Sequence, residues 1–319
     1  MQVTEILTKE EIKALMQRSD WRGAYEVALN WLWIIATFVL VAYYPNVLTI
    51  IIALFIIGAR QLGCSVIMHD TGHHSLFKNK KANRIIGNWF GAYPILHNVE
   101  QYGRYHIRHH RSNGTEDDPD LRLALLYPTN LKSLIRKIRR DLTGVTGFKG
   151  VLGVFMMHFG RIEYNLAGTA NKIDVSEIDN RVLLQKGWKN IRGPIAANLI
   201  LFGILWAFGQ PLLYLLWVGA FFTTHNLCIR IRAIAEHSMS PDLSDPVKNV
   251  RTTYANFFER IFIAPLHVNY HVEHHLLMGA PSYNYPKMHQ ILLERGYYEE
   301  GLLEKNYWQI LKMAANSKK

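Results

Sequence analysis

Two blocks of the chain carry no Asp, Glu, Lys or Arg: Trp31 to Ala59 and Gly193 to Ile229. An α-helix crosses the hydrocarbon core of a bilayer in about 20 residues, so each block is too long for one span and suits a helical hairpin. Each also has turn chemistry near its middle, at Tyr43 to Asn46 and at Gly209 to Pro211. Peptide groups in hydrocarbon must find partners within the segment, which favours helices. The pattern predicts spans at residues 27–45, 47–67, 194–209 and 211–232, the first pair running somewhat past Arg60. Core helices of a soluble protein are the competing reading. The mean hydropathy near zero speaks for it only if the average is meaningful, and here the charges are concentrated outside the two blocks.

The rest of the chain is patterned differently. Apolar runs from Ile85 to Leu96 and from Val151 to Phe159 are too short to cross and are expected to lie along or re-enter the membrane surface. In residues 1–25, Thr8 before Lys9-Glu10-Glu11 is an N-cap signal, and Ile12, Leu15 and Met16 supply an apolar stripe, as in an interfacial helix. No cleaved signal peptide is expected, because the first residues are of mixed charge and no apolar run with a small-residue cleavage site follows. The expected fold is an all-α integral membrane protein, one domain over residues 1–319. Four transmembrane helices form two hairpins, and a helical cap comprises residues 68–190 and 233–319.

A net charge of +11 raises the question of nucleic acid. The basic residues follow another logic. The turns inside the apolar blocks are uncharged, whereas Lys78-Asn79-Lys80-Lys81, Arg136 to Arg140 and Lys186 to Arg192 lie on the opposite side. The positive-inside rule puts both termini and the cap in the cytoplasm, as in a bacterial inner membrane. Anionic lipid headgroups or an acidic acyl carrier then account for the basic surface, and no nucleic acid partner is expected. Cys64 and Cys228 fall near span ends on the reducing side and are read as packing residues.

Three histidine clusters carry the chemistry. His271, His274 and His275 stand at i, i+3 and i+4, a spacing that points their imidazoles from one helix face toward a common spot. His106, His109 and His110 repeat that spacing, and His69 and His73 lie one turn apart at the end of the second span. These eight exceed the four ligands of a tetrahedral zinc site and point to two metals. Neutral imidazole suits iron, copper, zinc and nickel. Asp70, Asp117, Asp118 and Glu273 lie beside the clusters, where a carboxylate can hold an imidazole tautomer or simply face water. His74 is about 100° of helix away from His73 and reads as a supporting or structural residue. His97, His158, His225, His267 and His289 are isolated, with His225 nearest the active-site end of a span. Arg230 and Arg232 at a span end either reach for the interface or mark a pocket entrance.

The order and spacing of these motifs resemble the membrane fatty acid desaturase and hydroxylase superfamily. The matching elements are His69-Asp70-Thr71-Gly72-His73, His106-Ile107-Arg108-His109-His110 followed by Glu116-Asp117-Asp118-Pro119-Asp120, and His271-Val272-Glu273-His274-His275. The likeness extends from about Leu62 to Leu293. The segments Arg251-Thr252-Thr253, Asn269-Tyr270-His271 and Pro281-Ser282-Tyr283 look most like the bacterial branch that includes rhizobitoxine-type desaturases. The resemblance implies a further ligand, His237 in Ala235-Glu236-His237, and hence nine metal-binding and catalytic histidines. It implies two iron ions, O2 as co-substrate and a fatty acyl substrate carried on CoA, acyl carrier protein or lipid. Desaturation is the expected reaction; a hydroxylase or ketolase of an acyl lipid or carotenoid is the alternative, and a non-catalytic metal-binding protein lies outside the class. Two cysteines cannot hold an iron–sulfur cluster, so the expected electron donor is a separate ferredoxin or cytochrome b5-type protein.

Overall fold

The computed structural model describes residues 3–168, 171–242, 245, 248–298 and 301–317. Twelve helices matter for the site: α1 (Lys9–Leu15), α2 (Asp20–Tyr43), α3 (Val47–Gly72), α4 (Val99–Ser112), α5 (Leu131–Leu142), α6 (Val145–His158), α7 (Asn180–Ala207), α8 (Tyr214–Phe222), α9 (Thr224–His237), α10 (His271–Leu276), α11 (Tyr285–Glu294) and α12 (Tyr307–Ala314). Sheet is confined, among the described residues, to Thr252–Thr253 paired in parallel with Leu303–Glu304. Among the described residues four helical segments are long and apolar enough to cross a membrane: α2, α3, α7 and the stretch Pro211–His237.

The central strut is α3. It starts at a capping box in which the Asn46 side chain accepts from the Thr49 N–H at 3.1 Å and the Thr49 hydroxyl accepts from the Asn46 N–H at 3.2 Å. From Ile56 to Thr71 every residue except Ser65 is buried, so this helix is surrounded by protein as it approaches its histidines. The two hairpins meet over it. Ile34, Phe38, Val41, Ala53 and Ile57 pack with Leu205, Leu213, Leu216 and Trp217. Trp31 stacks on Trp217 with ring centroids 6.1 Å apart, and Gln61 Nε2 donates to the Trp217 carbonyl at 2.8 Å. Gly63 permits close approach of α2: a Cβ there would lie 2.0 Å from Asn30 Oδ1.

Two expected spans differ in detail. The third begins at Asn180 rather than 194, because Arg181, Lys186, Lys189 and Arg192 occupy an outward extension of the same helix and Pro194 sits inside it. The Asn198 side chain donates to the Pro194 carbonyl at 3.0 Å, adding a bond near the missing proline donor. The stretch expected as one span at 211–232 is broken at Thr223, where φ −119° and ψ −91° separate α8 from α9. The Thr223 hydroxyl donates to the Gly219 carbonyl at 2.6 Å and the Thr224 hydroxyl to the Leu54 carbonyl at 2.5 Å, so side chains share the backbone acceptors at the break. Gly58 sits under this junction; a Cβ there would meet Thr224 Oγ1 at 2.3 Å.

The short apolar runs are helical and shorter than a span. Residues Lys80–Ile86 form a helix that continues as a π-helical turn, Gly87–Ala92, and a 3-10 turn, Tyr93–Ile95. The second run begins earlier than expected, at Val145, and α6 exposes Phe148, Leu152 and Phe155. The N-terminal helix α1 packs on the cap. Leu7 and Leu15 join Leu277, Ala280, Tyr285 and Met288, and Arg295 pairs with Glu11 at 2.6 Å. On the other flank α12 closes over α5 and α9 through Leu134, Ile231, Ile234 and Ile310.

Candidate metal centre

Four helix segments deliver the histidines. His69 lies in the last turn of α3 and His73 caps it; His106, His109 and His110 project from α4; His237 ends α9; His271, His274 and His275 come from α10. The structure brings all nine together in two groups. His69, His73, His106, His110 and His274 each offer a nitrogen within 4.8 Å of the others. Beside them His109, His237 and His275 form a triplet, and His237 also groups with His271 and Glu236.

The donor set fits metal ions. Nε2 of His69 lies 3.0 Å from Nε2 of His274, and Nε2 of His110 lies 3.0 Å from that of His106 and 2.8 Å from that of His274. In the other group the Nε2 atoms of His237 and His271 are 2.8 Å apart. Nitrogens bound at about 2.1 Å and at right angles around one ion stand about 3.0 Å from each other. Moreover, Nε2 of His73 and of His275 is buried without a hydrogen-bond partner, which costs about 1–3 kcal/mol unless a further group meets it.

Protonation points the same way. Asp70 accepts from His69 Nδ1–H and Asp118 from His109 Nδ1–H, both at 2.8 Å, leaving the two Nε2 atoms as bare lone pairs aimed inward. Burial holds His73, His106, His110, His271, His274 and His275 below the ordinary histidine value, so these rings are neutral near pH 7. For His109, burial also lowers the value, but the Asp118 hydrogen bond and the nearby charges of Asp120, Asp118 and Glu236 outweigh it.

Of the neighbouring residues expected to support the histidines, Asp70 and Asp118 do so and Glu273, His74 and Asp117 do not. Glu273 turns away from the cluster: its carboxylate accepts from Thr252 Oγ1 and His289 Nδ1, each at 2.5 Å, and from the Tyr298 hydroxyl. On α10 it stands between two inward-facing residues and therefore faces outward. His74 follows the end of α3 with φ 54° and is exposed, as is Asp117. Neither Arg230 nor Arg232 is a free entrance charge, since Arg230 is paired with Asp141 and Arg232 Nε donates to Glu236 at 2.6 Å. The isolated histidines stay outside both groups; His97 meets the Tyr164 hydroxyl at 2.9 Å, His158 the Leu96 carbonyl at 2.8 Å, and His225 stacks on Phe221.

Several supporting residues lacked a recognisable sequence signal. Tyr285 holds His274 Nδ1 at 3.0 Å, the Asn113 side chain holds His275 Nδ1 at 3.2 Å, and Glu236 lies 3.6 Å from His271 Nδ1. Arg251 is buried and caps the end of α9 after His237. It donates to the carbonyls of Ser238, Met239 and Gly301 at 2.8, 2.7 and 2.9 Å.

This arrangement can hold two metal ions at one end of an apolar helical bundle, and comparison with known proteins agrees in kind. The model of the fatty acid desaturase family matches residues 45–308. The chain belongs to the fatty acid desaturase family. Among its relatives, the dihydrorhizobitoxine desaturase of Bradyrhizobium elkanii is 26% identical over 249 residues, 76% of this chain and 67% of the relative. An sn-1 oleoyl-lipid 12-desaturase of Picosynechococcus is 23% identical over 271 residues, 81% and 73% of the two chains. A Synechocystis protein of the same description is 24% identical over 265 residues, 80% and 71%. As a desaturase-family member the chain is an oxidoreductase, and its four long apolar helices mark it as a membrane protein.

Proposed function

We propose that this protein is an O2-dependent di-iron enzyme that introduces a double bond into a fatty acyl chain, its metal centre and both termini on the cytoplasmic side of the membrane. The observation that carries the reading is the pair of buried, largely neutral imidazole groups held at the end of four apolar helices. The nine histidines named above would hold the irons, which supply, when bound, the O2-derived oxidant needed for an unactivated C–H bond.

The chain's own work is placement. Asp70, Asp118 and Tyr285 fix the orientations of His69, His109 and His274, so the lone pairs converge without rearrangement. The packed aromatic and aliphatic interior around Trp31, Trp217, Tyr102 and Tyr105 keeps water away from an apolar substrate that enters along the spans. Which carbon is oxidised follows from how deep the chain inserts. The acyl group is carried by CoA, acyl carrier protein or lipid, and electrons come from a separate carrier of ferredoxin or cytochrome b5 type.

Expression in a host with defined lipids tests the reading by mass spectrometry. A product two mass units lighter than its precursor supports desaturation. One sixteen units heavier assigns the chain to hydroxylation instead. Metal content near two irons per chain, with O2 uptake that needs substrate and reductant, excludes a passive metal-binding protein.

A second reading has its own observation. His225 Nδ1 and Gln61 Oε1 are buried between the spans without a hydrogen-bond partner, where a pure hydrocarbon would leave both unsatisfied. They favour a substrate whose chain carries a polar group. Turnover of a polar-substituted chain in preference to oleoyl lipid would select it.

A further inference from the structure

The helix that presents His106, His109 and His110 inward presents a different face outward. Arg104, Arg108 and Arg111 lie at i, i+4 and i+7 on the exposed side of α4, with Ile107 among them. An open groove of about 440 Å³ separates this stripe from Lys80, Lys81 and Arg84 on the neighbouring helix. It is lined by Gly72, next to His73, and by Gly103, three residues before His106. Glu100 is the single acidic residue lining it, and Glu100 already accepts from the Asn88 side chain at 3.3 Å. Among the described residues none of these six cations forms an ion pair with a carboxylate.

From these observations we infer that the basic groove on the outer face of α4 is the docking site of an acidic one-electron carrier protein. The inference rests on the oxidative reading above and names the partner of that site. Forming a double bond removes two electrons and two protons from the substrate, while reducing O2 to two waters consumes four of each. The other two electrons must come from two encounters with a reduced carrier, each leaving oxidised, and the two protons come from water. A carrier on this face is separated from the metal-binding nitrogens by one helix, about 10 Å in diameter with its side chains. Positive charge around a small apolar floor steers an acidic partner and seats it. Anionic lipid headgroups are the competing occupant; the same lysines flank Ile85, Trp89 and Phe90, which are exposed. The carrier is favoured because the arginine stripe continues along the histidine helix to Arg111, beyond the groove and at the far end from those apolar residues.

Binding can be measured without turnover, which separates this proposal from the proposed reaction. The purified, metal-loaded protein in neutral detergent is titrated with an acidic plant-type [2Fe–2S] ferredoxin and with a soluble cytochrome b5 domain. Floating with vesicles of pure phosphatidylcholine and of phosphatidylcholine with phosphatidylglycerol reports lipid preference. The expected result is salt-sensitive binding of at least one carrier, weakened at least ten-fold in Arg104→Glu/Arg108→Glu and retained in Lys149→Glu, an exposed site elsewhere, with metal content unchanged in both. Absence of carrier binding by the wild type, or equal binding by Arg104→Glu/Arg108→Glu, overturns the proposal. Loss of phosphatidylglycerol preference alone in that variant assigns the groove to lipid. Carrier binding with no product in the lipid assay refutes the reaction and leaves the docking site standing.

Discussion

Replacing Asp118 by Asn perturbs one metal-binding imidazole while changing almost no volume. Three N–H groups converge on this buried carboxylate: His109 Nδ1 and the Asp120 N–H on Oδ1, both at 2.8 Å, and the Gly114 N–H on Oδ2 at 3.1 Å. Asparagine keeps one acceptor oxygen and turns the other into a donor. Whichever way the amide lies, at least one N–H faces another N–H, and the negative charge that orients His109 is gone. Hydrogen bonds to a charged group contribute about 1.5–3 kcal/mol. Outer partners of metal-binding histidines are worth roughly 10–100-fold in affinity, about 1.4–2.7 kcal/mol, so the two scales agree.

Asp118→Asn should therefore bind metal about 10–100-fold more weakly at the group containing His109, with the five-histidine group little affected. The assay is metal per chain after equilibration against a graded series of chelator concentrations. Asp117→Asn is the control, because its neighbouring carboxylate is exposed and touches no histidine. Wild-type metal retention by Asp118→Asn would refute the reasoning. So would an equal loss in Asp117→Asn, which would reduce the effect to loop charge.

Three further outcomes follow from the same geometry. His271→Ala should lose desaturated product in the lipid assay and about half the metal per chain, since His271 lies outside the five-histidine group; full activity would mean that the centre is misassigned. Glu273→Gln removes an acceptor shared by Thr252, His289 and Tyr298 and should cost about 1–3 kcal/mol of stability, seen as a lower melting temperature, while metal per folded chain is unchanged. Acid should destabilise the metal-free protein. Burial lowers the folded-state values of His106, His110, His274 and His275, and that of His97 to about 3, so below about pH 6.5 the unfolded chain takes up protons that the folded chain refuses. Stability is full above that pH and falls below it by up to about 1.4 kcal/mol per pH unit for each histidine; thermal melts that stay flat from pH 7 to 5 would contradict this.

How far the sequence carried depended on whether a feature was local. Long charge-free blocks announce apolar helices, but the charges from Arg181 to Arg192 put the outward part of α7 in the cap and not in the span, and nothing in Thr223-Thr224 signals a break that arises from packing against Gly58. Eight of the nine clustered histidines were visible as i, i+3 and i+4 spacing. His237 has no histidine three or four residues before it in its helix and needed the family resemblance. Supporting partners were legible when adjacent in sequence, as Asp70 is to His69, and illegible when brought from elsewhere, as Tyr285 is to His274. Adjacency also misled: Glu273 is between histidines in sequence and therefore on the other side of the helix.

The two groups are unequal, and the inequality bears on where chemistry takes place. Five imidazoles converge in the first and would together hold one ion. His109, His237, His271 and His275 serve the second, with Glu236 adjacent and itself paired to Arg232. The elements that hold it are also the more distant in sequence: the end of α9, capped by Arg251, and α10, held through Thr252 and Glu273 by the small parallel sheet. The first group is set by the crossing of α3 and α4 near Gly72 and Gly103, with His274 its one member from α10. α10 therefore determines whether the second group is complete. Without it four of the five histidines of the first group remain together, and the second keeps only His109 and His237.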